Sequence, residues 1–484
     1  MLRTRYLAPA LALLALGCKV GPDYTAPRVD TGRGWAQPAD PGAPQLDRWW
    51  RLFNDPTLDR LEQAALGGNL DLRQAQARIR EARALREAAA GGRWPALDAR
   101  GSVTREQQTL DGPLPIQKIP GLARDITVYD AEFDATWELD LFGGVRRQVE
   151  SAQAQAQAAV EQARDARVSV AAEVARTYLT LRGAQLELEA RGQGVEALRR
   201  ILETTRTRAA AGDVAQVEVD QAQAQYQDAA AALPGLRAQA RAAALGLGAL
   251  LGGLPESEAG LADTPPTHWT LAPIPVGARA DLLRRRPDVR AAERQLAAAT
   301  AQVGVARAEW FPKLSIGASA GYQALQSSQL FTQPSQMLSV GPLISWRIFQ
   351  GGAIKAEIHA AEARQEQAAL GYEKAVLGAL ADAERALVTY RLALDTVRAQ
   401  DDLLATCRRS YRHAERRHRA GDIALAELLQ AEGRVRDAED AQARARTGAA
   451  IDLAALCKAL GGGWPAGQEP VHGHPGVAGL GPEG

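Results

Sequence analysis

The chain has 484 residues, and its 57 Lys and Arg side chains balance its 57 Asp and Glu side chains. A net charge of zero lacks the basic excess with which nucleic-acid-binding proteins neutralise phosphates, so no nucleic acid partner is expected. After the first residues no apolar run reaches the length of about 18 residues that a transmembrane helix needs. We therefore expect any membrane-crossing part to be a closed β-barrel, which also pairs every backbone group.

The first residues have the pattern of an export signal. Two arginines precede an apolar run from Tyr6 to Leu16 that is too short to span a bilayer, and the run leads to Gly17 and Cys18. This pattern predicts a signal peptide over residues 1–17 and a covalent lipid on Cys18. Ala15 stands where a bacterial lipobox usually has Leu, and ordinary cleavage that leaves a free thiol is the alternative. Residues 18–56 are then a lipidated, extended N-terminal segment.

From residue 57 onward the sequence contains two copies of one unit. Pro95 recurs 217 positions later as Pro312, whereas Trp137 recurs 209 positions later as Trp346. The change of offset falls where the sequence becomes strand-like, which places the length difference in a loop. The predicted limits of the first repeat, a linker, the second repeat and a disordered tail are residues 57–253, 254–273, 274–462 and 463–484.

Each unit is predicted to contain a helix, a β-hairpin, a very long helix, a tight turn and a returning helix. No proline interrupts residues 145–233, and a helix of about 67 residues would be roughly 100 Å long. Ala-Gly-Asp turns end both long helices, and the aspartates are expected to cap the returning helices. Pro234 is expected to kink the first returning helix. The predicted elements are helix 57–91, hairpin 94–142 and helical hairpin 145–251, then hairpin 312–350 and helical hairpin 353–460.

The strand-like segments alternate apolar and polar residues over unusual lengths. Apolar residues occupy the odd positions of residues 129–141, and residues 314–323 and 338–348 alternate in the same way. Length and alternation favour tilted membrane strands with lipid outside and water inside. Four strands cannot close a barrel, whereas three chains would supply about twelve. The alternative is a soluble sandwich with one wet face. The acids predicted to line a pore are Asp130, Glu132 and Asp134.

Aromatic residues gather where strands meet helices, which suits a membrane interface, with ordinary core packing as the alternative. The predicted helices place Cys407 and Cys457 about 30 Å apart, too far for a disulfide, so both are expected to be buried small hydrophobes. No metal-spaced cysteine pair and no catalytic motif occurs, so no enzyme activity, no metal and no cofactor is expected. The aromatic residues are Trp94, Trp137, Phe142, Trp310, Phe311, Trp346 and Phe349.

Four motifs carry a family resemblance over almost the whole chain after the signal: Cys18-x-Val20-Gly21-Pro22-Asp23-Tyr24, Trp49-Trp50-x-x-Phe53-x-Asp55-Pro56-x-Leu58, Arg286-Pro287-Asp288-Val289 and Phe311-Pro312-x-Leu314. Together they resemble the TolC-like outer-membrane efflux family, in its lipoprotein (NodT/OprM-like) branch. The resemblance implies an α+β membrane protein that forms a homotrimer. Its twelve strands would form one β-barrel in the outer membrane, on a periplasmic α-helical barrel of long coiled-coil helices.

The resemblance also implies a function and partners. The trimer would conduct substrates passively from an inner-membrane pump, expected to be of the resistance-nodulation-division type, and from a periplasmic adaptor (membrane fusion) protein. The protein would be lipid-anchored in the outer membrane, with a large periplasmic portion. The turns expected to meet the adaptor are Gly212, Asp213, Gly421 and Asp422.

The second helical tip is the candidate gate. Family members often place an acid after two aliphatic residues there, but here Leu428 and Leu429 precede Gln430. A solvated helix face is the alternative role for these residues. Replacement of Glu427 and Leu429 is expected to raise channel conductance. The candidate gate residues are Asp422, Glu427, Leu428, Leu429, Gln430 and Glu432.

Two other functions compete with the channel. A periplasmic coiled-coil adaptor or scaffold lipoprotein would also use long helical hairpins, but it would lack the two long amphipathic β-hairpins. A self-contained porin is disfavoured because most of the chain is predicted to be helical. Heat-modifiable migration on a gel and fractionation with the outer membrane separate the channel from the scaffold.

Overall fold

The computed structural model describes residues 19–27, 30, 32, 34–36, 40, 42, 46–110 and 123–464. The predicted signal peptide, the predicted lipid site at Cys18 and residues 465–484 lie outside the described residues. Trp464 is only 4% exposed, so the packed chain extends slightly beyond residue 463, where the tail was predicted to begin.

The described elements follow the predicted order of helix, hairpin and helical hairpin, twice. Short 3-10 helices lie at Trp49–Phe53, Pro255–Asp263, Ser327–Gln329 and Gln333–Ser335. The helices and strands are α1 (Pro56–Gly68), α2 (Leu70–Gly91), β1 (Ala96–Gln107), β2 (Asp125–Leu139), α3 (Gly144–Ala210), α4 (Gln216–Ala231), α5 (Leu233–Leu250), α6 (Arg279–Arg285), α7 (Pro287–Ala308), β3 (Lys313–Ala324), β4 (Gln336–Ser345), α8 (Ala353–Arg419) and α9 (Leu425–Ala459).

The first helix of the first copy is interrupted, contrary to the single helix predicted over 57–91. Asn69 separates α1 from α2, and its side-chain oxygen accepts hydrogen bonds from the backbone N–H groups of Asp71 and Leu72. Its amide group donates to the carbonyl oxygen of Leu250 at 2.7 Å. Asn69 therefore caps a second helix because its short polar side chain satisfies the free N–H groups there.

The two long helices are confirmed. Each of α3 and α8 has 67 residues, and each ends at a glycine with positive φ, 81° at Gly212 and 83° at Gly421. Glycine adopts this left-handed conformation without the steric cost that a Cβ would bring. The return after α3 is divided between α4 and α5, where Pro234 lies in the first turn of α5. The returning helix is therefore interrupted just before Pro234, where the sequence predicted only a kink.

The aspartates of the two turns do not cap the returning helices, which corrects the prediction. The backbone N–H of Asp213 donates to Arg208 of α3, closing the end of the preceding helix. Asp422 has the same role at the end of α8. The N-cap residues of α4 and α9 are alanines without a side-chain hydrogen bond. Each aspartate lies two residues too early to reach the first turn of the next helix.

The backbone repeats the duplication. Glycines with positive φ occur in pairs separated by the same 209 positions as the later part of the sequence repeat. Each pair ends or begins an equivalent helix, so the left-handed turns are shared by the two copies. The pairs are Gly143 and Gly352, Gly212 and Gly421, and Gly252 and Gly461.

The four strands form one antiparallel sheet in the order β1-β2-β3-β4. Strand β2 ends at Leu139 rather than at 141, because the carboxylate of Asp140 accepts hydrogen bonds from the first N–H groups of α3, at Val145 and Arg146. Strand β4 ends at Ser345, before the predicted limit of 348. Pro342 lies inside β4, which is tolerated because an edge strand leaves one row of N–H groups unpaired.

The chain divides into two compact units. The first consists of the described parts of Met1–Pro27, Ile79–Ala158 and Ala292–Tyr372, and contains the sheet. The second consists of the described parts of Arg28–Arg78, Ala159–Ala291 and Glu373–Gly484. No helix among the described residues has the length and hydropathy of a membrane-spanning helix.

The core of the second unit explains the motif that begins with two tryptophans. Trp49, Trp50 and Phe53 are almost fully buried, and edge-to-face contacts connect their rings with Trp269. Asp55 caps α1 through the N–H groups of two residues in its first turn. Aromatic pairs of this geometry add to the free energy gained by burial.

The two described cysteines are free, as expected, but they differ in burial. Cys457 is fully buried and lies in the core of the second unit, whereas Cys407 is half-buried. Burial raises the pKa of the Cys457 thiol far above its ordinary value. The prediction of two buried small hydrophobes therefore holds for Cys457 and is wrong for Cys407.

Candidate functional site

The three predicted pore-lining acids lie on one polar face of the sheet. Asp130 stands opposite Ser102 and Gln323, and the Gln323 amide donates to its carboxylate at 2.9 Å. Residues paired directly across neighbouring strands share a face, so Asp134 shares this face with Asp98. Asp98 was missed from the sequence, because only the register shows that it faces the acids of β2.

Arg100 is the basic partner of this acidic face. It stands opposite Glu132, and its Nε lies 3.5 Å from a carboxylate oxygen of Asp134. The arginine side chain is 71% exposed, so this ion pair contributes little to stability. The polar face therefore has a surplus of negative charge that remains accessible to water.

The opposite face of the sheet is apolar and exposed. Leu97, Phe133, Leu338 and Val340 lie on it and are 69%, 58%, 79% and 70% exposed. A soluble sandwich would cover such a face with a second layer. A large exposed apolar patch marks a surface that meets lipid or another protein.

Two tryptophans at the base of the sheet make the same hydrogen bond in both copies. The indole N–H of Trp137 donates to the carbonyl oxygen of Arg93, and that of Trp346 donates to Trp310, both at 3.0 Å. The Trp346 and Trp310 rings are about half exposed. These rings are therefore fixed at the surface of the sheet and do not belong to a core.

A stacked pair of aromatic rings joins the two copies. Phe142 and Phe311 stack with ring centroids 4.6 Å apart and an interplanar angle of 17°. Trp94 and Phe349 are 73% and 88% exposed. Most of the predicted aromatic group thus remains accessible in the single chain, as a membrane interface requires and a core does not.

The tips of the two helical hairpins pack on each other through one cluster of leucines and smaller side chains, here called the tip cluster. The first copy contributes residues from α3 and α4, and the second contributes residues from α9. Tyr226 and Tyr411 pack against its edge. The tip cluster consists of Leu198, Leu202, Val219, Ala222, Leu425, Leu428 and Leu429.

The structure divides the candidate gate residues into two groups. Leu428, Leu429 and Glu432 are 6%, 9% and 4% exposed, so they belong to the interior of the helical tip. Asp422, Glu427 and Gln430 are exposed. The buried leucines therefore support the tip, and only the exposed group presents side chains outward. The four predicted adaptor-contact residues, Gly212, Asp213, Gly421 and Asp422, are also exposed.

Glu432 is an acid in an apolar position. Its carboxylate pairs with Arg436 Nε at 2.8 Å, one turn further along α9. The Arg436 side chain lies directly against Gly194 of α3, and a Cβ at Gly194 would be 2.7 Å from the Cδ of Arg436. Burial raises the pKa of Glu432 to about 7, although Arg436 opposes the shift. In the sequence this buried acid is marked only by its position, three residues after Leu429.

The motif at 286–289 lines a cavity of ≈ 360 Å³ in the second unit. Arg286 donates to Asp288 at 2.6 Å and lies 3.6 Å from Asp382 of α8. Asp165 also lines this cavity, and burial raises the pKa of its carboxyl. Within the described residues, no group of three His, Cys, Asp or Glu side chains is arranged to hold a metal ion.

Comparison with known proteins gives a consistent result. The family described as outer membrane efflux protein matches residues 61–253 and 279–462, once for each copy of the unit. The pyoverdine export outer membrane protein OpmQ of Pseudomonas putida is 32% identical over 464 residues, which cover 94% of this chain and 97% of OpmQ. Nodulation protein T of Rhizobium leguminosarum bv. trifolii is 30% identical over 466 residues, 95% of this chain and 98% of that protein.

Solved structures show the same fold. The outer-membrane channel OprN superposes with a TM-score of 0.84 at 36% identity, covering 92% of this chain and 100% of OprN. The open state of the MtrE outer membrane channel of Neisseria gonorrhoeae gives 0.81 at 27% identity, covering 92% and 99%. The two ranges of the family match contain all four strands and both helical hairpins. The chain belongs to the outer membrane efflux protein family.

Proposed function

We propose that this protein is the outer-membrane channel of a tripartite efflux system and conducts substrates passively from a periplasmic adaptor and an inner-membrane pump. The observation that carries the proposal is the four-stranded sheet, with an exposed apolar face on one side and an acidic face on the other. A lipid-facing surface and a water-facing surface on alternate residues suit a strand in an outer membrane. Passive conduction requires no catalytic group.

The barrel of the proposed channel is formed by three chains. One chain supplies four strands, and the outer edges of β1 and β4 are the two open edges of the described sheet. Open edges of amphipathic strands pair with further strands. Pairing β4 of one chain with β1 of the next gives a closed barrel of about twelve strands, a size at which side chains no longer fill the interior.

The long helices form the periplasmic part of the proposed channel. Each chain supplies two helical hairpins, so three chains supply six, which suits a closed α-helical barrel. The exposed residues Asp422, Glu427 and Gln430 form the periplasmic gate, and the turns at Gly212 and Gly421 meet the adaptor. The pump is of the resistance-nodulation-division type. A lipid on Cys18 adds a second attachment to the outer membrane.

Channel activity in planar bilayers tests the proposal. The purified full-length protein should migrate as a heat-modifiable trimer, fractionate with the outer membrane and produce discrete ion conductance. A periplasmic scaffold would give neither conductance nor membrane-integral trimers. A protein that is extracted from membranes by carbonate and remains silent in bilayers would exclude a channel.

The gate has a separate test in the same experiment. Glu427→Ala and Gln430→Ala together should raise single-channel conductance, since exposed side chains at a constriction limit the passage of ions. Asp228→Asn, on the exposed surface of α4, serves as the matched control. Equal conductance of the gate variant and the wild type would place the gate elsewhere while leaving the channel intact.

A further inference from the structure

The motif that follows Cys18 is held in place by one buried arginine. Arg147 is fully buried, and its guanidinium donates to the carbonyl oxygens of Val20 and Gly21 at 3.0 and 3.1 Å. It also donates to the carboxylate of Asp23 at 2.9 Å. A buried arginine with several acceptors fixes a main chain more firmly than a single hydrogen bond would. The segment from Val20 to Asp23 therefore has one position on α3.

Close backbone contacts prevent this segment from sliding. A Cβ at Gly21 would lie 2.4 Å from the Cα of Gly304, so the two main chains touch. The N–H of Val20 donates to the carbonyl oxygen of Phe142 at 3.1 Å. Lys19 packs against Gly143, and a Cβ at Gly143 would lie 3.0 Å from the Cα of Lys19. The main chain is thus held in place from Lys19 onward, directly after Cys18 in the sequence.

An apolar cavity opens beside the fixed segment. It has a volume of ≈ 420 Å³, and Val20 and Gly21 form part of its wall. Trp310, Phe311 and Ile358 supply the remaining apolar surface. This volume falls within the range of known small-molecule sites, which are mostly apolar with a few polar groups. Apolar walls next to exposed aromatic side chains suit a hydrocarbon ligand.

The lining of the cavity has more basic side chains than acidic ones. Arg307, Lys355 and His359 lie around it, together with Glu362, which pairs with Arg307 at 2.7 Å. Lys355 and His359 are exposed on α8. Basic side chains beside an apolar cavity suit a ligand with a hydrocarbon chain and an anionic or polar headgroup.

We propose that this cavity holds one acyl chain of the lipid on Cys18. The proposal rests on the proposed lipidation of that cysteine. The described chain begins one residue after Cys18, and the next two residues line the cavity, so the acyl chain needs no linker to reach it. A tethered ligand also has a high effective concentration at a nearby site. Arg147 is then a positioning residue for the anchor.

Cross-linking from the lipid tests the proposal. Cells that express the full-length protein are fed a photoactivatable fatty acid, and the purified protein is irradiated and analysed by mass spectrometry. We expect cross-links that join the lipid-modified N-terminal peptide to the peptides containing Trp310–Phe311 and Ile358. His359→Trp places an indole in the mouth of the cavity and should remove most of these cross-links. Arg364→Trp, exposed on α8 beyond the cavity, should leave them unchanged.

The controls separate the two proposals. A labelled Cys18 whose lipid cross-links only to phospholipid, detergent or a second copy of the chain would overturn the cavity as its site. Pocket adducts that persist in Cys18→Ser would show that a free membrane lipid occupies the cavity, which also overturns the proposal. A wild-type chain without any lipid on Cys18 would refute the proposed lipidation, whereas its conductance would still support the channel.

Discussion

At the scale of single residues, the least expected feature is the acid inside the helical tip. Glu432 follows the last residue of the tip cluster, Leu429, by three positions on α9. Its carboxylate forms an ion pair with Arg436, and Gly194 leaves the space that the arginine occupies. Desolvation favours the neutral carboxyl, and the nearby arginine favours the charged form. Desolvation is the larger effect, so the pKa rises from its ordinary value of 4.5 to about 7.

This shift predicts a pH dependence of stability. The carboxyl of Glu432 binds its proton more tightly in the folded chain than in the unfolded chain. The resulting contribution to the free energy of unfolding is fully present below pH 4.5 and is lost as the pH rises through about 7. One pKa unit corresponds to about 1.4 kcal/mol, so the loss is a few kcal/mol at most. In Glu432→Gln the free energy of unfolding of the tip should no longer fall between these pH values. Hydrogen exchange of the tip amides measures this free energy.

Glu427→Gln is the matched control for this measurement. It removes an exposed carboxyl from the same helix, so it should leave the pH dependence of tip stability unchanged. A wild-type tip whose hydrogen exchange protection is the same at pH 5 and at pH 7.5 would contradict the assigned pKa shift.

At the scale of secondary-structure elements, the tip cluster connects the two copies of the unit. Leu202 of α3 and Leu429 of α9 belong to the same buried group. The cluster stabilises the ends of these long helices, because helix ends fray unless tertiary packing holds them. The two tips are therefore expected to move as one body.

Leucine truncation tests this connection. Leu202→Ala and Leu429→Ala should each cost about 2–5 kcal/mol of tip stability, because each leaves a cavity in a packed cluster. The double variant should cost less than the two single variants combined, since the two side chains share neighbours. Leu403→Ala, which is 48% exposed on α8, is the control and should cost little. Additive losses would show that the two tips are independent.

The hairpin bases give a second prediction at this scale. Trp137→Phe and Trp346→Phe each remove an indole hydrogen bond to a backbone carbonyl while keeping an aromatic ring. Each should cost about 1 kcal/mol and lower the temperature at which the proposed trimer dissociates on gels. Trp94→Phe, at a 73% exposed ring, should have a smaller effect. A larger loss for Trp94→Phe than for Trp137→Phe and Trp346→Phe would contradict the stabilising role of the two indole hydrogen bonds.

At the scale of the whole molecule, three sheets would surround one aqueous pore. Each sheet brings Asp98, Asp130, Glu132 and Asp134 to its polar face, with Arg100 among them. In a closed channel these charges repeat three times and create a negative potential. The acidic face is therefore expected to set the ion preference of the pore.

Neutralisation of the acidic face tests this expectation. The triple change Asp130→Asn, Glu132→Gln and Asp134→Asn should reduce the preference for cations, measured as the reversal potential in a salt gradient. Asp228→Asn changes an equally exposed acid on a helix and should leave the reversal potential unchanged. An unchanged reversal potential in the triple variant would mean that these acids do not line the conducting path.

The sequence by itself determined the duplication, the long helices and the amphipathic strands. These features follow from local patterns: spacing of repeated residues, absence of proline, and alternation of apolar and polar side chains. The left-handed glycines at Gly212 and Gly421 were predictable for the same reason, since helix ends have local signals.

Only the tertiary structure decided which side chains meet. Strand register placed Asp98 beside the predicted acids, and packing between the copies buried Leu428 and Leu429. The N-terminal segment found its place through Arg147, which lies more than a hundred residues away from it. Such contacts depend on the geometry of elements distant in sequence, and a pattern along one element cannot specify the partner on another.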